Sequence, residues 1–107
     1  MSALDQPKSK PLVVRIGPRK RIEAELREQL KARNIAITSE TPLGLSSRTL
    51  SSLEAYFWRD ILYFLEQEYV EYTAIEKAIK RLRDNPLFTE TLVLLTERFN
   101  QEETEEQ

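Results

Sequence analysis

The sequence predicts a mainly α fold, a compact packing of about four helices, and three observations lead there. Only two of the 107 residues are glycine while 40 % are hydrophobic, a helix-leaning globular composition. Apolar residues recur at spacings of three and four along most of the chain. Capping residues punctuate those stretches where one helix should stop and the next begin. A chain of this length can bury a single core without metal or crosslinks.

Residues 1–10 are polar, contain Pro7 and read as a disordered lead-in. Leu12-Val13-Val14-Arg15-Ile16 is a run of β-type residues closed by the turn pair Gly17-Pro18. A helix is predicted over 19–33, with Pro18 near its first position and Asn34 as its C-terminal cap. Its apolar stripe, Ile22, Leu26 and Leu30, is thin, so the helix is expected to dock on a core rather than anchor one. Ile35-Ala36-Ile37 is a second short β-type run. The two runs could pair as a minor two-stranded β element, or each could lie as an extended segment on the helices.

Thr38 to Leu50 combines turn residues with Leu43, Leu45 and Leu50, which reads as an ordered loop pinned by its leucines. Ser51-Ser52-Leu53-Glu54 has capping-box spacing and should open the main helix over 52–71. From Leu53 its apolar face reads Phe57, Trp58, Ile61, Leu62, Phe64, Leu65 and Tyr69. Of these, Phe57, Trp58, Ile61, Phe64 and Leu65 are expected in the core. Thr73-Ala74-Ile75-Glu76 is a second capping box. It opens a helix over 74–84 whose Ile75, Ala78, Ile79 and Leu82 define one amphipathic face. Asn85 and Pro86 start the last helix, 86–100, with Phe88, Leu92, Leu95 and Phe99 on one side. Residues 101–107 hold four glutamates and no apolar residue, so a disordered acidic tail is expected beyond a single domain spanning 11–100.

The chemistry available is limited. The chain has no histidine and no cysteine, which removes the usual neutral-pH acid–base group, the thiolate nucleophile and Cys-based metal sites. Glu23 with Arg27 and Glu76 with Lys80 are i,i+4 pairs of the kind that support helices. Two glycines cannot build a phosphate-cradling loop, and no calcium-loop pattern occurs. No catalytic activity, cofactor or metal is therefore expected. No run approaches the length of about twenty apolar residues that a membrane-spanning helix needs, and the start lacks a signal-peptide pattern. A soluble cytoplasmic protein is the expectation.

Charge is distributed in blocks. Residues 1–33 carry nine basic and four acidic side chains, 34–72 two and six, 73–85 four and two, and 86–107 one and six. Arg19, Lys20, Arg21, Arg27 and Lys31 form the one cluster that could contact phosphates of a nucleic acid. A pI of about 5.3 and the acidic end oppose binding to a polyanion.

Seven of the nine aromatic residues fall between Tyr56 and Tyr72. Tyr56 and Tyr63, with Val70 continuing their spacing, lie about 140–160° from the centre of the main apolar stripe. Arg59 and Glu66 flank them. Such an outward stripe is either covered by the N-terminal segment or the 38–50 loop, or it is exposed with the Tyr and Arg composition enriched at interfaces. The function expected from this is a small non-enzymatic protein-interaction module, an adaptor, assembly factor or regulator. Its partner would be another protein or a second copy of the chain, bound through Tyr56, Arg59, Tyr63, Glu66 and Val70. A nucleic-acid-binding regulator using the basic cluster is the alternative.

Overall fold

A computed structural model of the chain describes residues 17–66 and 72–106. Four helices carry the fold: α1 (Pro18–Ala32), α2 (Ser47–Leu65), α3 (Tyr72–Arg83) and α4 (Pro86–Glu106). No strand occurs among the described residues. α1 packs against both α2 and α4, and α3 also packs against both.

α1 opens on Pro18, whose missing N–H would have had no partner in the first turn anyway. It closes in a Schellman-type turn. Asn34 takes a left-handed φ of 65°, its N–H donates to Lys31 O at 2.9 Å, and the Ile35 N–H donates to Leu30 O at 3.1 Å. The thin stripe of this helix behaves differently from the expectation. Ile22, Leu26 and Leu30 are all fully buried and rank among the largest fully enclosed side chains of the protein. A narrow stripe suffices because α1 is gripped from two sides, by α2 and by α4.

Residues 35–38 are irregular. Ile37 is buried and Ile35 packs against the core, so this run is an extended segment laid on helices. Its proposed strand partner, residues 12–16, lies outside the described residues, as does the lead-in at 1–10. The connection to α2 is held by arginines from two helices. Arg27 donates to Thr38 O at 2.8 Å and Thr41 O at 2.7 Å, and Arg98 of α4 donates to Leu43 O. Leu43 is buried beneath. Next to it Gly44 has φ +73°, and a Cβ there would collide with the Arg98 guanidinium.

α2 begins one turn earlier than the Ser51 box predicts. Its N-cap is Ser46, whose Oγ accepts from the Thr49 N–H at 3.1 Å. Ser51 and Glu54 lie inside the helix, where both accept from Arg19 of α1. A Ser–Glu pair at capping spacing is equally able to bind a neighbouring arginine, and here the tertiary partner takes it.

α3 buries Ile75, Ala78, Ile79 and Leu82, the face its periodicity predicts, together with Ala74. The turn to α4 is also as predicted, with Asn85 Oδ1 accepting from the Leu87 N–H at 2.8 Å ahead of the proline-started helix. Phe88, Leu92 and Leu95 are buried and Phe99 packs at the core's edge. The last helix does not stop at residue 100. It runs through Glu106, so the backbone there is helical and not an irregular tail. Glu and Gln are strong helix formers, and extending an existing helix needs no new nucleus.

One charged group lies in this apolar interior. Glu25 of α1 is buried and accepts from Gln29 Nε2 at 2.8 Å and from Arg83 Nε at the end of α3. That hydrogen bond, followed by the attraction of Glu25 and of Glu76, raises the pKa of Arg83 above its ordinary value against the cost of desolvation.

Candidate functional site

The surface of interest is on α2 and follows from how its neighbours grip it. With 100° between successive residues, Leu53, Phe57 and Ile61 form a line that faces the core, and all three are buried. On one side of that line Asp60 meets Arg81 of α3, with Nη1 and Oδ1 3.7 Å apart. On the other side Arg19 of α1 pairs with Glu54 at 2.9 Å and donates to Ser51 Oγ at 2.6 Å. α3 and α1 thus occupy the two shoulders of the helix. The apolar residues of α2 extend beyond both.

Past the α3 shoulder lie Tyr56 and Tyr63, about 100–120° from the core line. They are 39 % and 57 % exposed. The Arg59 guanidinium stacks over the Tyr56 ring with its carbon 4.9 Å from the centroid, a cation–π contact that orders both side chains on the surface. Ser52, Ala55, Tyr56 and Arg59 line an open depression of about 370 Å³. Tyr63 meets the edge of Phe64 in a T-shaped pair, centroids 5.4 Å apart, which anchors the exposed ring to one packed against the core. Glu66 is exposed at the helix end, and Val70 lies outside the described residues. The 38–50 loop does not cover this flank, since its apolar side chains and backbone carbonyls are engaged with the core, Arg27 and Arg98.

Past the α1 shoulder lie Trp58, Leu62 and Leu65, about 80–140° from the core line. They are 40 %, 54 % and 44 % exposed. Trp58 and Leu65 were expected in the core, and the structure corrects this. The continuous apolar stripe read from periodicity is wider than the face that α1, α3 and the core line can cover. That excess width was the signal available in the sequence.

A second concavity, of about 250 Å³, lies between the α2 N-terminus and α4, with Gly44, Leu45, Leu94 and Arg98 in its wall. Arg98 is already committed there to Leu43 O and to Glu102 Oε2, the latter at 3.3 Å.

The basic cluster is dispersed by its tertiary contacts. Arg19 is held by Glu54 and Ser51, Arg27 by the two loop carbonyls, and Arg21 has its Nε buried. Lys20 and Lys31 are exposed. A phosphate-binding face built from all five would require dismantling the α1–α2 contact and the loop clamp.

Among the described residues no three His, Cys, Asp or Glu side chains gather as a metal site, and no helix is long and apolar enough to cross a membrane. The chain matches no protein-family model, and neither curated proteins nor solved structures yield a match.

Proposed function

We propose that this chain is a small non-enzymatic protein-interaction module, acting in the cytoplasm as an adaptor, assembly factor or regulator. Its contact surface is the α3-side flank of α2, with Tyr56, Arg59 and Tyr63, and Glu66 beyond them at the helix end; Val70, outside the described residues, joins this set on its sequence spacing alone. The observation that carries the reading is the pair of exposed tyrosines on a helix whose core-facing line is already filled by Leu53, Phe57 and Ile61. Folding has no use for their exposed ring area, whereas an interface does, since Tyr and Arg concentrate binding energy at protein contacts. Arg59 over the Tyr56 ring presents an apolar platform with a cation at its edge. That combination suits a partner segment carrying an apolar anchor beside a carboxylate. The alternating charge blocks then steer encounter more than they add affinity.

The test is capture of a partner from native extract, with and without nuclease, by the wild-type chain and by Tyr56→Ala/Tyr63→Ala. The expected outcome is a protein retained by the wild type in both conditions and lost with the double variant, whose melting temperature stays close to wild type. Retention that disappears with nuclease, or that depends on Lys20 and Lys31, would move the function to nucleic acid. A double variant that unfolds would make the tyrosines structural.

A further inference from the structure

The outward half of α2 carries a second periodic pattern beside the one that faces the core. Ala55, Trp58, Leu62 and Leu65 follow one another at intervals of three, four and three residues. That is the a–d spacing of a seam suited to packing on another helix. It runs along the α1-side flank, about 80–160° from the core line. Its three large side chains keep much of their area exposed after α1 and α3 have packed.

Two charges edge this seam. Arg59 and Glu66 occupy the e positions of successive heptads, about 10 Å apart along the helix. The other acidic groups of α2, Glu54 and Asp60, are paired with Arg19 and Arg81. Arg59 rests on the Tyr56 ring, and neither it nor Glu66 has an ion-pair partner among the described residues.

Charges at such positions set the orientation of a helix pair. In a parallel pair of α2 helices, e positions face g positions. Arg59 would then meet Glu54, already held by Arg19, and Glu66 would meet Ile61, which is buried. In an antiparallel pair, e faces e. Arg59 of each copy then meets Glu66 of the other, twice by symmetry, while Leu62 of each layers on Leu65 of the other. The helix ends agree. α2 has no basic residue in its last turn, so the negative end of its dipole lacks a cation that Arg59 of a second copy would bring. A net charge of −2 per chain adds little long-range repulsion.

We propose that two copies of the chain pair through α2 in an antiparallel, two-fold arrangement. Leu62 and Leu65 form the apolar layers, Trp58 extends the seam, and reciprocal Arg59–Glu66 ion pairs run beside it. This rests on the reading of α2 as the contact helix and names a second copy as the occupant of its α1-side flank. The Tyr56–Tyr63 flank lies across the charged edge and stays available.

Sedimentation equilibrium of the full-length chain over a concentration series should show a reversible monomer–dimer equilibrium. Trp58, the only tryptophan, should shift its emission to shorter wavelength as the dimer forms. Arg59→Glu or Glu66→Arg alone sets like charges opposite each other and should weaken association roughly tenfold or more. The double variant Arg59→Glu/Glu66→Arg restores opposite charges and should recover it, as reciprocal contact between these positions requires. Leu62→Glu should abolish the dimer with helix content unchanged. A wild type that stays monomeric throughout overturns the proposal. So does a dimer that survives Leu62→Glu, or a pair of charge reversals that fail to rescue each other. Capture separates this failure from that of the broader reading. A monomeric chain that still retains a protein through Tyr56 and Tyr63 has lost only the second copy. Retention that persists in Tyr56→Ala/Tyr63→Ala removes the tyrosine surface, whatever the oligomeric state.

Discussion

Glu25 is the residue whose environment is least forgiving. Its carboxylate is buried and depends on two donors, Gln29 one turn along α1 and Arg83 from α3. Arg83→Ala leaves that charge with a single neutral donor, and a buried acceptor short of a partner costs about 1–3 kcal/mol. Urea unfolding should report a loss in that range. The double variant Glu25→Ala/Arg83→Ala should lose less than the sum of the single ones, because each single variant already removes the shared contact. The sign of the pH dependence follows from the raised Arg83 pKa. A cation whose pKa is raised on folding stabilises throughout the range below its unfolded value and loses that contribution only as pH climbs through the raised one. The Arg83 contribution should therefore be flat across neutral pH and vanish only in strong alkali. Gly44 is the other exacting position. Gly44→Ala would both strain a left-handed backbone and push Arg98 away from Leu43 O. The backbone term alone is about 1–2 kcal/mol.

Helix boundaries are settled by single hydrogen bonds, so the next scale can be tested with single hydroxyls. Ser46→Ala should remove the N-cap of α2 and destabilise by about 1 kcal/mol, measured as a shift in the urea midpoint. Ser51 accepts from Arg19 inside the helix, and Ser51→Ala should cost less because Glu54 retains the arginine. The two serines look alike in sequence, each with a polar residue three positions on. What separates them is whether an arginine from another helix is within reach. The same holds for the basic stretch of α1. Read along the chain, Arg19 and Arg27 are a charged face; in three dimensions one pins α2 and the other clamps the loop.

Across the whole molecule, stability and binding are expected to map to different faces. Leu26→Ala empties a fully buried position where α1 contacts two helices, a change that costs about 2–5 kcal/mol in cores. Against a total of about 5–15 kcal/mol for a domain of this kind, that is a large fraction. It should appear as a marked fall in melting temperature with one cooperative transition. The tyrosine pair should behave in the opposite way, losing partner binding while changing stability by about 0.5 kcal/mol or less, as surface substitutions do. On the proposed reading, recognition sits on a helix whose buried line is Leu53, Phe57 and Ile61 and whose flanks extend past its two neighbours.

Sequence alone determined the helical class, the amphipathic face of α3, the Asn34 end of α1 and the Asn85–Pro86 start of α4. Each depends on groups a few residues apart, and local spacing carries that information directly. Tertiary structure alone decided that the thin stripe of α1 is fully buried in the core, and that Trp58 and Leu65 are partly exposed although their periodicity suits a core. It also decided that Tyr56 and Tyr63 are exposed and that Arg19 and Arg27 of the basic cluster are spent on Glu54, Ser51 and the loop. The physical reason is the same in every case. Period places a side chain on a face of its own helix, but burial depends on which neighbours reach that face, and α1 and α3 reach only the two shoulders of α2.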